Sequence, residues 1–531
     1  MQKLRVDRVL FGVAVTLIVT ICLPLGLMPE KSNLFISEFY SWISNNLSVF
    51  YQLFGIFTII YLAWLALSRH GHIRLSQTNE KPEFSNFAWG GMLFCAGTGA
   101  SLLVWAGIEW TGYYIAPPFG IEPRSTQAIE IASAYGPFHW GITAWCFYAL
   151  PTIAIAYPFY TKGIPYLRAS TALHSILGPN AANSVTGRLV DLLAMLALLG
   201  GAGSSLGMIA PTIAACVAEL LGIETSFTLQ LVIMLVCIAL FSASVYMGIG
   251  KGIKRLSELN VILSLVLLTF ILVAGPTLFI LKSGLNTVGV MAENFIRMMT
   301  WTDPVEKTGF VETWTVFYWA WWIAFAPPIG VFVTRISRGR TIRQVVLSMI
   351  LFGTLGSWAF YFVIGNYSLS LELNSIMSVT ESKVANGMYV TIANIFATLP
   401  FSSLVLVVFT LVCIISVATT YDSASYTLAS TATKELTAGS SPARWHRLFW
   451  AGILGILPIL MMYVGGLEII RSGFLIASFP LLFVGVAMVV ALTKSLNEIP
   501  IRAASNLAGI HPNSNAKPAI QYREDNISGG Q

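Results

Sequence analysis

Long apolar stretches, separated by short polar segments, recur along almost the whole chain of 531 residues. Twelve of these stretches are long enough to cross a bilayer as helices. They cover residues 9–28, 47–67, 87–115, 136–158, 190–220, 227–249, 257–281, 313–336, 345–367, 400–430, 448–466 and 472–493. The first stretch is too long for a signal peptide and has a poor cleavage site. The pattern therefore predicts an all-α polytopic membrane protein with twelve transmembrane helices.

Lysine and arginine fall unevenly on the segments that connect these stretches. If both termini are cytoplasmic, 23 of the 30 basic residues lie on the cytoplasmic side. The other seven are Lys31, Arg124, Lys282, Arg297, Lys307, Lys383 and Arg471. This asymmetry predicts cytoplasmic termini in a cytoplasmic (inner) membrane. It also explains the net charge of +6 as topology, so no nucleic-acid partner is implied.

Composition and motifs argue against other classes of protein. Hydrophobic residues make up 56% of the chain, charged residues 10%, and the mean hydropathy is +0.74, which predicts a lipid bilayer as the surroundings. The six cysteines lie singly in predicted spans, so neither a disulfide nor a metal site is expected. There is no HExxH motif and no paired intramembrane carboxylates, so no enzyme is predicted. His139 is interpreted as a hydrogen-bonded packing residue rather than a functional one.

One predicted span carries a dense run of aromatic residues. On a helix, Trp314, Tyr318, Trp321, Trp322 and Phe325 are spaced i, i+4, i+7, i+8 and i+11, which places their rings along one face. A cation without hydrogen-bond donors is bound by such rings, at about 2 kcal/mol or more per desolvated ring. The alternatives are an aromatic belt at the membrane interface and ordinary packing. The density of the run favours a binding site for a quaternary-ammonium ion.

Glycines interrupt two of the predicted spans. In the third span, Gly97 and Gly99 flank Thr98, and glycine allows the helix to unwind at membrane depth. The freed amide N–H groups bind anions and the freed carbonyls bind cations. A second cluster, residues 200–207, contains four glycines. For that cluster both unwinding and close helix packing through small residues remain open.

The tenth predicted span contains adjacent polar residues in apolar surroundings. The hydroxyls of Thr419 and Thr420 suit a dehydrated Na⁺, although threonine also bonds to carbonyls of its own helix. Asp422 lies close to the predicted cytoplasmic end of the span, where solvated capping competes with a functional role. The pattern favours an ion site at the two threonines.

Several motifs together resemble the betaine/carnitine/choline transporter family. They are residues 314–322 (WTVFYWAWW), 335–343 (RISRGRTIR), 138–145 (FHWGITAW) and 251–260 (KGIKRLSELN). The resemblance covers roughly residues 85–495. It implies two leading helices, an inverted five-plus-five helix repeat of the sodium-symporter kind, and a homotrimer. The implied domains are 1–86 (N-terminus and leading helices), 87–283 (first repeat), 284–312 (outer amphipathic connector), 313–493 (second repeat) and 494–531 (cytoplasmic polar tail).

The resemblance also implies roles for single residues. The family's cage around a trimethylammonium group matches Trp140, Trp321, Trp322 and Phe325. The family's unwound stretch near the substrate carboxylate matches Gly97, Thr98 and Gly99, and the aromatics along its substrate path match Trp145 and Tyr148. The chain departs from the family at Phe325, where Trp or Tyr is usual. Phenylalanine is a weaker cation–π partner than tryptophan, so this wall is expected to be softer or the substrate bulkier.

The resemblance is mixed on how transport is driven. The outer loop 117–123 and residues 138–141 resemble the ion-independent carnitine exchangers. Those exchangers carry an arginine at the position of Asn260, and they lack one of the hydroxyls at Thr419 and Thr420. A neutral Asn260 leaves room for a mobile cation. Carbonyls near Cys95 and Thr98 would complete the coordination shell of that cation. Coupling to Na⁺ is therefore favoured over exchange.

These observations predict a secondary transporter that moves carnitine, glycine betaine or choline across the membrane by alternating access, as a Na⁺ symporter. The alternative is a carnitine-type exchanger of substrate against product. A third hypothesis, from a different functional class, is a membrane osmosensor that does not transport. No cofactor is expected apart from Na⁺ as the coupling ion.

Overall fold

The computed structural model describes residues 6–76, 80–98, 100–248, 252–464 and 467–498. Within these ranges the chain is helical, and extended pairing is confined to two isolated bridges, Val6 with Thr433 and Arg74 with Thr341. Nine of the described helices are long and apolar enough to cross a membrane, and one bent pair makes a tenth candidate. The prediction of an all-α polytopic membrane protein is confirmed, whereas the count of twelve spans stays a prediction. The predicted polar tail begins at residue 494, and its part beyond residue 498 lies outside the described residues.

The helices follow one another with short connections. The first twelve are α1 (Arg8–Leu27), α2 (Pro29–Leu67), α3 (Asn86–Thr98), α4 (Leu102–Ile108), α5 (Trp110–Ile115), α6 (Thr126–His139), α7 (Ile142–Ala156), α8 (His174–Leu177), α9 (Val185–Leu221), α10 (Phe227–Met247), α11 (Ile253–Ala274) and α12 (Thr277–Thr300). The others are α13 (Phe317–Ile336), α14 (Ile342–Phe360), α15 (Asn366–Leu373), α16 (Val379–Ala397), α17 (Ser402–Thr431), α18 (Arg444–Val464) and α19 (Leu467–Asn497).

The third predicted span is broken, as expected from its glycines. Helix α3 ends at Thr98 and α4 begins at Leu102, and the two parts are bent by 71°. Gly99 lies outside the described residues, and of Thr98 only the backbone is described. At the start of α4 the amides of Leu103 and Val104 donate to the carbonyls of Ala100 and Ser101, at 3.2 and 3.0 Å. The structure therefore confirms the break, at the residues where the sequence predicts it.

The second glycine cluster does not unwind. Helix α9 is continuous from Val185 to Leu221, through residues 200–207. A methyl group built on Gly201 would overlap the ring of Phe325, so this position has to lack a side chain. Close packing, one of the two readings of this cluster, is therefore the correct one at Gly201.

Two helix boundaries differ from the predicted spans for clear backbone reasons. The fourth predicted span contains two helices, α6 and α7, because Gly141 has φ −96° and ψ −141°, outside the helical region. The seventh ends at Ala274 rather than at residue 281, since Gly275 and Pro276 follow it and proline lacks a backbone N–H. The next helix, α12, consequently begins before the predicted connector boundary at residue 284.

A set of ion pairs holds the end of α13 to the segment before α3. Arg335 binds both carboxylate oxygens of Glu83, at 2.8 and 3.3 Å, and Arg338 binds both oxygens of Glu80, at 2.6 and 2.7 Å. The hydrogen bonds that Arg338 donates to Glu80 raise the pKa of Arg338 above its ordinary value, so the guanidinium stays charged. The basic loop of the sequence is thus the attachment between the two helices that carry the predicted site.

A second, fully buried ion cluster ties the N-terminal segment to α9. Arg168 lies 3.3 Å from Asp7 and 3.2 Å from Asp191, and all three side chains are at most 1% exposed. Asp191 also accepts hydrogen bonds from the backbone and hydroxyl of Ser170, at 2.8 and 2.7 Å. Such a cluster is stable only as a set, since the loss of one member leaves a buried charge unpaired.

Candidate functional site

Four of the predicted site residues come together where α6 ends and where α7 meets α13. Trp140 follows the last residue of α6, and the non-helical backbone at Gly141 turns the chain into α7. Tyr148 lies two turns into α7, while Trp321 and Trp322 lie in the middle of α13. Helices α7 and α13 pack along each other, so these rings converge between them. The break at Gly141 is what brings Trp140 over the two tryptophans.

The rings of this aromatic cluster, defined here as Trp140, Tyr148, Trp321 and Trp322, meet mostly edge to face. The centroids of Trp140 and Trp322 are 4.8 Å apart with the ring planes at 79°, and those of Tyr148 and Trp322 are 5.8 Å apart at 89°. Trp140 and Trp321 are 6.2 Å apart at 63°. All four side chains are at most 4% exposed. Edge-to-face contact is a favourable geometry for aromatic pairs, and it brings several π surfaces together in a place shielded from water.

The indole of Trp322 has a fixed orientation. Its Nε1 donates a hydrogen bond of 2.9 Å to the backbone carbonyl of His139. That carbonyl belongs to the last residue of α6, where helix carbonyls lack helical partners. The interruption between α6 and α7 therefore supplies the acceptor that holds the central ring of the aromatic cluster.

The broken third span approaches the same place through Gly97. A methyl group built on Gly97 would lie 2.5 Å from Cη2 of Trp145 and 3.3 Å from Cε2 of Tyr148. The centroids of Trp145 and Tyr148 are 5.7 Å apart, with the ring planes at 88°. Gly97, Trp145 and Tyr148 thus lie in contact, as the predicted roles require. The Thr98 side chain and Gly99, which belong to the same prediction, lie outside the described atoms.

Phe325 lies one turn further along α13 and faces a different neighbourhood. Its ring tip points at Gly201 of α9, and its side chain lines a small cavity together with Ile329 and Thr420. The side chain is 7% exposed. Phe325 therefore lies between α13, α9 and α17, where a larger ring has little room.

The predicted ion ligands divide over two sides of α17. Thr419 lies beside the thiol of Cys95, and the amide of Asn260 donates to Cys95 Sγ at 3.4 Å. Thr420, one residue on, lines the cavity that also contains Phe325. Both threonine hydroxyls donate to the carbonyl of Ser416, at 3.0 and 2.9 Å. Each threonine therefore donates a hydrogen bond to a carbonyl of its own helix. The lone pairs of each hydroxyl oxygen remain available to a cation.

Asn260 is held as a neutral, fully partnered amide. Its Oδ1 accepts a hydrogen bond of 3.1 Å from the hydroxyl of Ser416, while its Nδ2 faces Cys95. Among the described residues no group of three or more His, Cys, Asp or Glu side chains is arranged to hold a metal ion. Neutral oxygen donors of Thr, Ser and Asn are thus what this region offers to a cation.

Asp422 is not a solvated cap. It is 1% exposed, and one of its oxygens accepts a hydrogen bond from the hydroxyl of Ser244 in α10. The reading that placed Asp422 in water at the end of the span is therefore wrong, because α17 continues to Thr431. The residue instead joins α17 to α10 inside the protein.

A buried carboxylate that the sequence patterns did not indicate, Glu109, lies beside Trp140 of the aromatic cluster. It follows α4, is 0% exposed, and accepts hydrogen bonds from the hydroxyls of Tyr113 and Tyr361. The signal was present, since Glu109 is an acidic residue inside the third apolar span, and such residues are rare in membranes and usually functional.

Comparison with known proteins identifies the family. The sequence profile described as betaine/carnitine/choline family transporter matches residues 9–500. The uncharacterized transporter YeaV of Escherichia coli K12 is 36% identical over 422 residues, which are 79% of this chain and 87% of YeaV. A carnitine transporter of Acinetobacter baumannii is 31% identical over 506 residues, which are 95% of this chain and 92% of that protein.

A solved structure of a Na⁺-coupled sialic acid symporter, in a substrate-bound outward-open state, is 11% identical with a TM-score of 0.42. The similarity covers 87% of this chain and 84% of the symporter, and at this level it bears on neither substrate nor ion. The family profile spans nearly the whole chain, and its members are transporters. The protein is thus a multi-pass membrane transporter and not an enzyme, as predicted. The chain belongs to the betaine/carnitine/choline transporter family.

Proposed function

We propose that the protein carries a quaternary-ammonium solute, such as carnitine, glycine betaine or choline, and that the aromatic cluster binds the trimethylammonium group. The observation that supports this most is the convergence of four buried rings, from Trp140, Tyr148, Trp321 and Trp322, in perpendicular pairs. A relative that is 31% identical bears the name carnitine transporter.

The chemistry of the cluster suits a cation that cannot donate hydrogen bonds. Each desolvated ring face contributes about 2 kcal/mol to the binding of such an ion, and the protein supplies no competing water at buried rings. Gly97 brings the interrupted α3–α4 segment against Trp145 and Tyr148. Amide N–H groups in the break between α3 and α4 are then the proposed donors to the carboxylate of a zwitterionic substrate.

Transport would follow alternating access around this site. We propose twelve spans, with two leading helices and an inverted five-plus-five repeat, in which the broken α3–α4 opens the first half and α13 opens the second. The domain boundaries at residues 87, 284, 313 and 494 follow from the same scheme. We also propose a homotrimer in the cytoplasmic membrane with both termini in the cytoplasm.

Na⁺ is the coupling ion in this proposal. Thr419 and Thr420 would provide hydroxyl oxygens, and carbonyls near Cys95 and Thr98 would complete the shell. The support is chemical: α17 and α11 offer neutral oxygen donors beside the broken span, and Asn260 is an amide engaged by Ser416. Asn260→Arg, which restores the fixed cation of the exchangers, should allow some substrate binding without Na⁺.

The competing function is exchange of substrate against product, which the outer loop 117–123 favours by its sequence. Labelled carnitine, glycine betaine and choline should therefore be offered to proteoliposomes that are either empty or preloaded with unlabelled substrate. We expect accumulation into empty vesicles under an inward Na⁺ gradient. Uptake that occurs only into preloaded vesicles, whatever the Na⁺ gradient, would establish the exchanger instead. Binding without transport in either case would indicate an osmosensor.

A further inference from the structure

The carboxylate of Glu109 lies directly behind the aromatic cluster. It accepts hydrogen bonds from Tyr113 and Tyr361, and the side chains of Tyr318 and Trp140 lie beside it. Tyr361 opens a π-helical turn, Tyr361–Gly365, between α14 and α15. Such turns occur often at functional sites because they displace a side chain from regular helical spacing. Here the turn brings a phenol onto Glu109.

The basic group beside Glu109 is better suited to be neutral than charged. Within the described part of the chain, Glu109 forms an ion-pair contact with His139, with 4.0 Å between Oε1 and Nδ1. His139 Nδ1 is 2.9 Å from the hydroxyl of Tyr113, and its Nε2 is 3.2 Å from that of Thr315. Because the hydroxyl of Tyr113 donates to Glu109, Nδ1 of His139 has to donate to that hydroxyl, and a neutral imidazole then accepts at Nε2 from Thr315. The charge of Glu109 is then not balanced by His139.

A carboxylate at membrane depth needs either a proton or a cation close to it. The two phenols share its charge through hydrogen bonds but do not cancel it. The remaining neighbour is the aromatic cluster itself. Trp140 lies 6.2 Å from Tyr361 and 4.8 Å from Trp322, measured between ring centroids. One indole therefore separates the carboxylate from the space between the rings, and a charge acts over that distance at low dielectric.

We propose that Glu109 is the counter-charge of the aromatic cluster, so that protonation of Glu109 and binding of the quaternary-ammonium cation compete. The inference rests on the proposed function, since it requires the cation to bind among these rings. With the cation bound, Glu109 is a carboxylate whose charge the ammonium balances. With the cluster empty, Glu109 takes up a proton from water that enters when the site opens, and it releases that proton when substrate returns.

Other groups that face Glu109 bear on its protonation, and they come from every helix packed around it. On α13, the Tyr318 ring is stacked on the His139 ring at 4.8 Å, and on α16 the ammonium of Lys383 donates to Thr111 Oγ1 at 2.8 Å. Among the described residues the set is Tyr113, His139, Tyr318 and Tyr361 at the carboxylate, and Lys383 at the neighbouring Thr111. His139 is the group most able to imitate a pH effect of Glu109, so the test has to separate these two.

The test measures carnitine affinity of the purified full-length protein, by quenching of tryptophan fluorescence, between pH 5 and pH 9. We expect the wild-type affinity to fall on the acid side by up to tenfold per pH unit, as competition with one proton requires. Glu109→Gln, which carries no charge at any pH, should bind at least tenfold more weakly at pH 8 and with no pH dependence. The carnitine analogue in which carbon replaces the ammonium nitrogen should bind both proteins alike.

Two further variants keep the inference testable if Glu109→Gln does not assemble. Tyr361→Phe and Tyr113→Phe each remove a hydrogen bond to the charged carboxylate, so each should move the midpoint of the pH dependence to higher pH by about one unit. His139→Gln should retain a pH-dependent affinity. An unmoved midpoint in both phenylalanine variants would overturn the inference.

Other outcomes distinguish this inference from the proposed function. A wild-type affinity that is constant from pH 5 to pH 9, or a pH dependence that persists in Glu109→Gln, overturns the role of Glu109 alone. Loss of the pH dependence in His139→Gln, but not in Glu109→Gln, assigns the proton to the imidazole and likewise overturns it. If the wild-type protein binds no quaternary-ammonium compound at any pH, the proposed function fails and this inference with it.

Discussion

Replacement of Trp322 is the most informative perturbation of the aromatic cluster. The ring centroid of Trp322 lies 4.8 Å from that of Trp140 and 5.8 Å from that of Tyr148. Its indole N–H donates a hydrogen bond to the carbonyl of His139. Trp322→Leu removes both the π surface and the anchor, whereas Trp322→Phe retains a ring and removes only the anchor. Comparison of the two separates attraction to the cation from positioning of the ring.

The size of the effect follows from these two contributions. One desolvated ring is worth about 2 kcal/mol to a bound cation, which is about a 30-fold change in affinity. The hydrogen bond to His139 contributes on the order of 1 kcal/mol, or about fivefold. We therefore expect roughly 100-fold or greater loss of affinity in Trp322→Leu, which abolishes saturable uptake at ordinary substrate concentrations. For Trp322→Phe we expect a loss on the order of 10-fold.

The assay is initial uptake of labelled substrate into proteoliposomes, together with direct binding in detergent. Trp319→Leu is the matched control, because Trp319 is also a buried indole of α13, and its ring contacts Phe138, Phe147 and the imidazole of His139 rather than the aromatic cluster. Elution as the same oligomer as the wild type shows that each variant is folded. Near-normal affinity in Trp322→Leu, or an equal loss in Trp319→Leu, would refute the assignment of the cation to these rings.

The other predictions concern coupling, shape and stability. Thr419→Val and Thr420→Val each remove an oxygen at nearly constant volume, so the Na⁺ concentration for half-maximal uptake should rise by about tenfold. An unchanged Na⁺ dependence in both variants would show that the threonines do not bind the ion. Phe325→Trp should lower uptake about tenfold, because the ring tip already lies against a glycine of α9; wild-type rates would show that the cavity admits an indole. Arg168→Met leaves two buried carboxylates unpaired, at a cost of roughly 3–5 kcal/mol, and should clearly lower the thermal unfolding midpoint in detergent. Arg338→Met breaks a pair that is about one-third exposed and should lower the midpoint much less; equal shifts would contradict this ranking.

Periodicity predicted the features that depend on one segment alone. The apolar stretches, the aromatic face of α13 and the interruption after Gly97 each follow from spacing or from a residue's backbone preference. Helix α16 has no counterpart among the predicted spans, because it is short, polar in its first half and kinked at Gly387, where φ is 78°. A hydropathy pattern contains no signal for a helix of that kind.

The features that depend on two distant segments were harder to predict. Nothing in the spacing around Phe325 shows that its ring tip faces Gly201, more than a hundred positions earlier in the chain. Similarly, Glu109 could be noticed as an acidic residue in an apolar span, but its hydrogen bond to Tyr361 depends on the π-helical turn after α14. Family resemblance supplied Trp140 as a partner of Trp322, and the break at Gly141 gives the physical reason for that partnership.

The ion pairs at the end of α13 restrict how the site can open. Arg335 and Arg338 hold that end to Glu83 and Glu80, immediately before α3, so α13 and the broken third span are attached to each other at one end. A motion that separated α13 from α3 there would break two bidentate pairs at once. Opening is easier where α13 meets α9 and α17, since the contacts there are the ring of Phe325 on Gly201, the edge-to-face pair of Phe332 and Tyr426, and one hydrogen bond of 3.4 Å from Thr427 to the carbonyl of Pro328. We therefore expect α3 and α13 to move together against α9 and α17, with the aromatic cluster carried on the moving side.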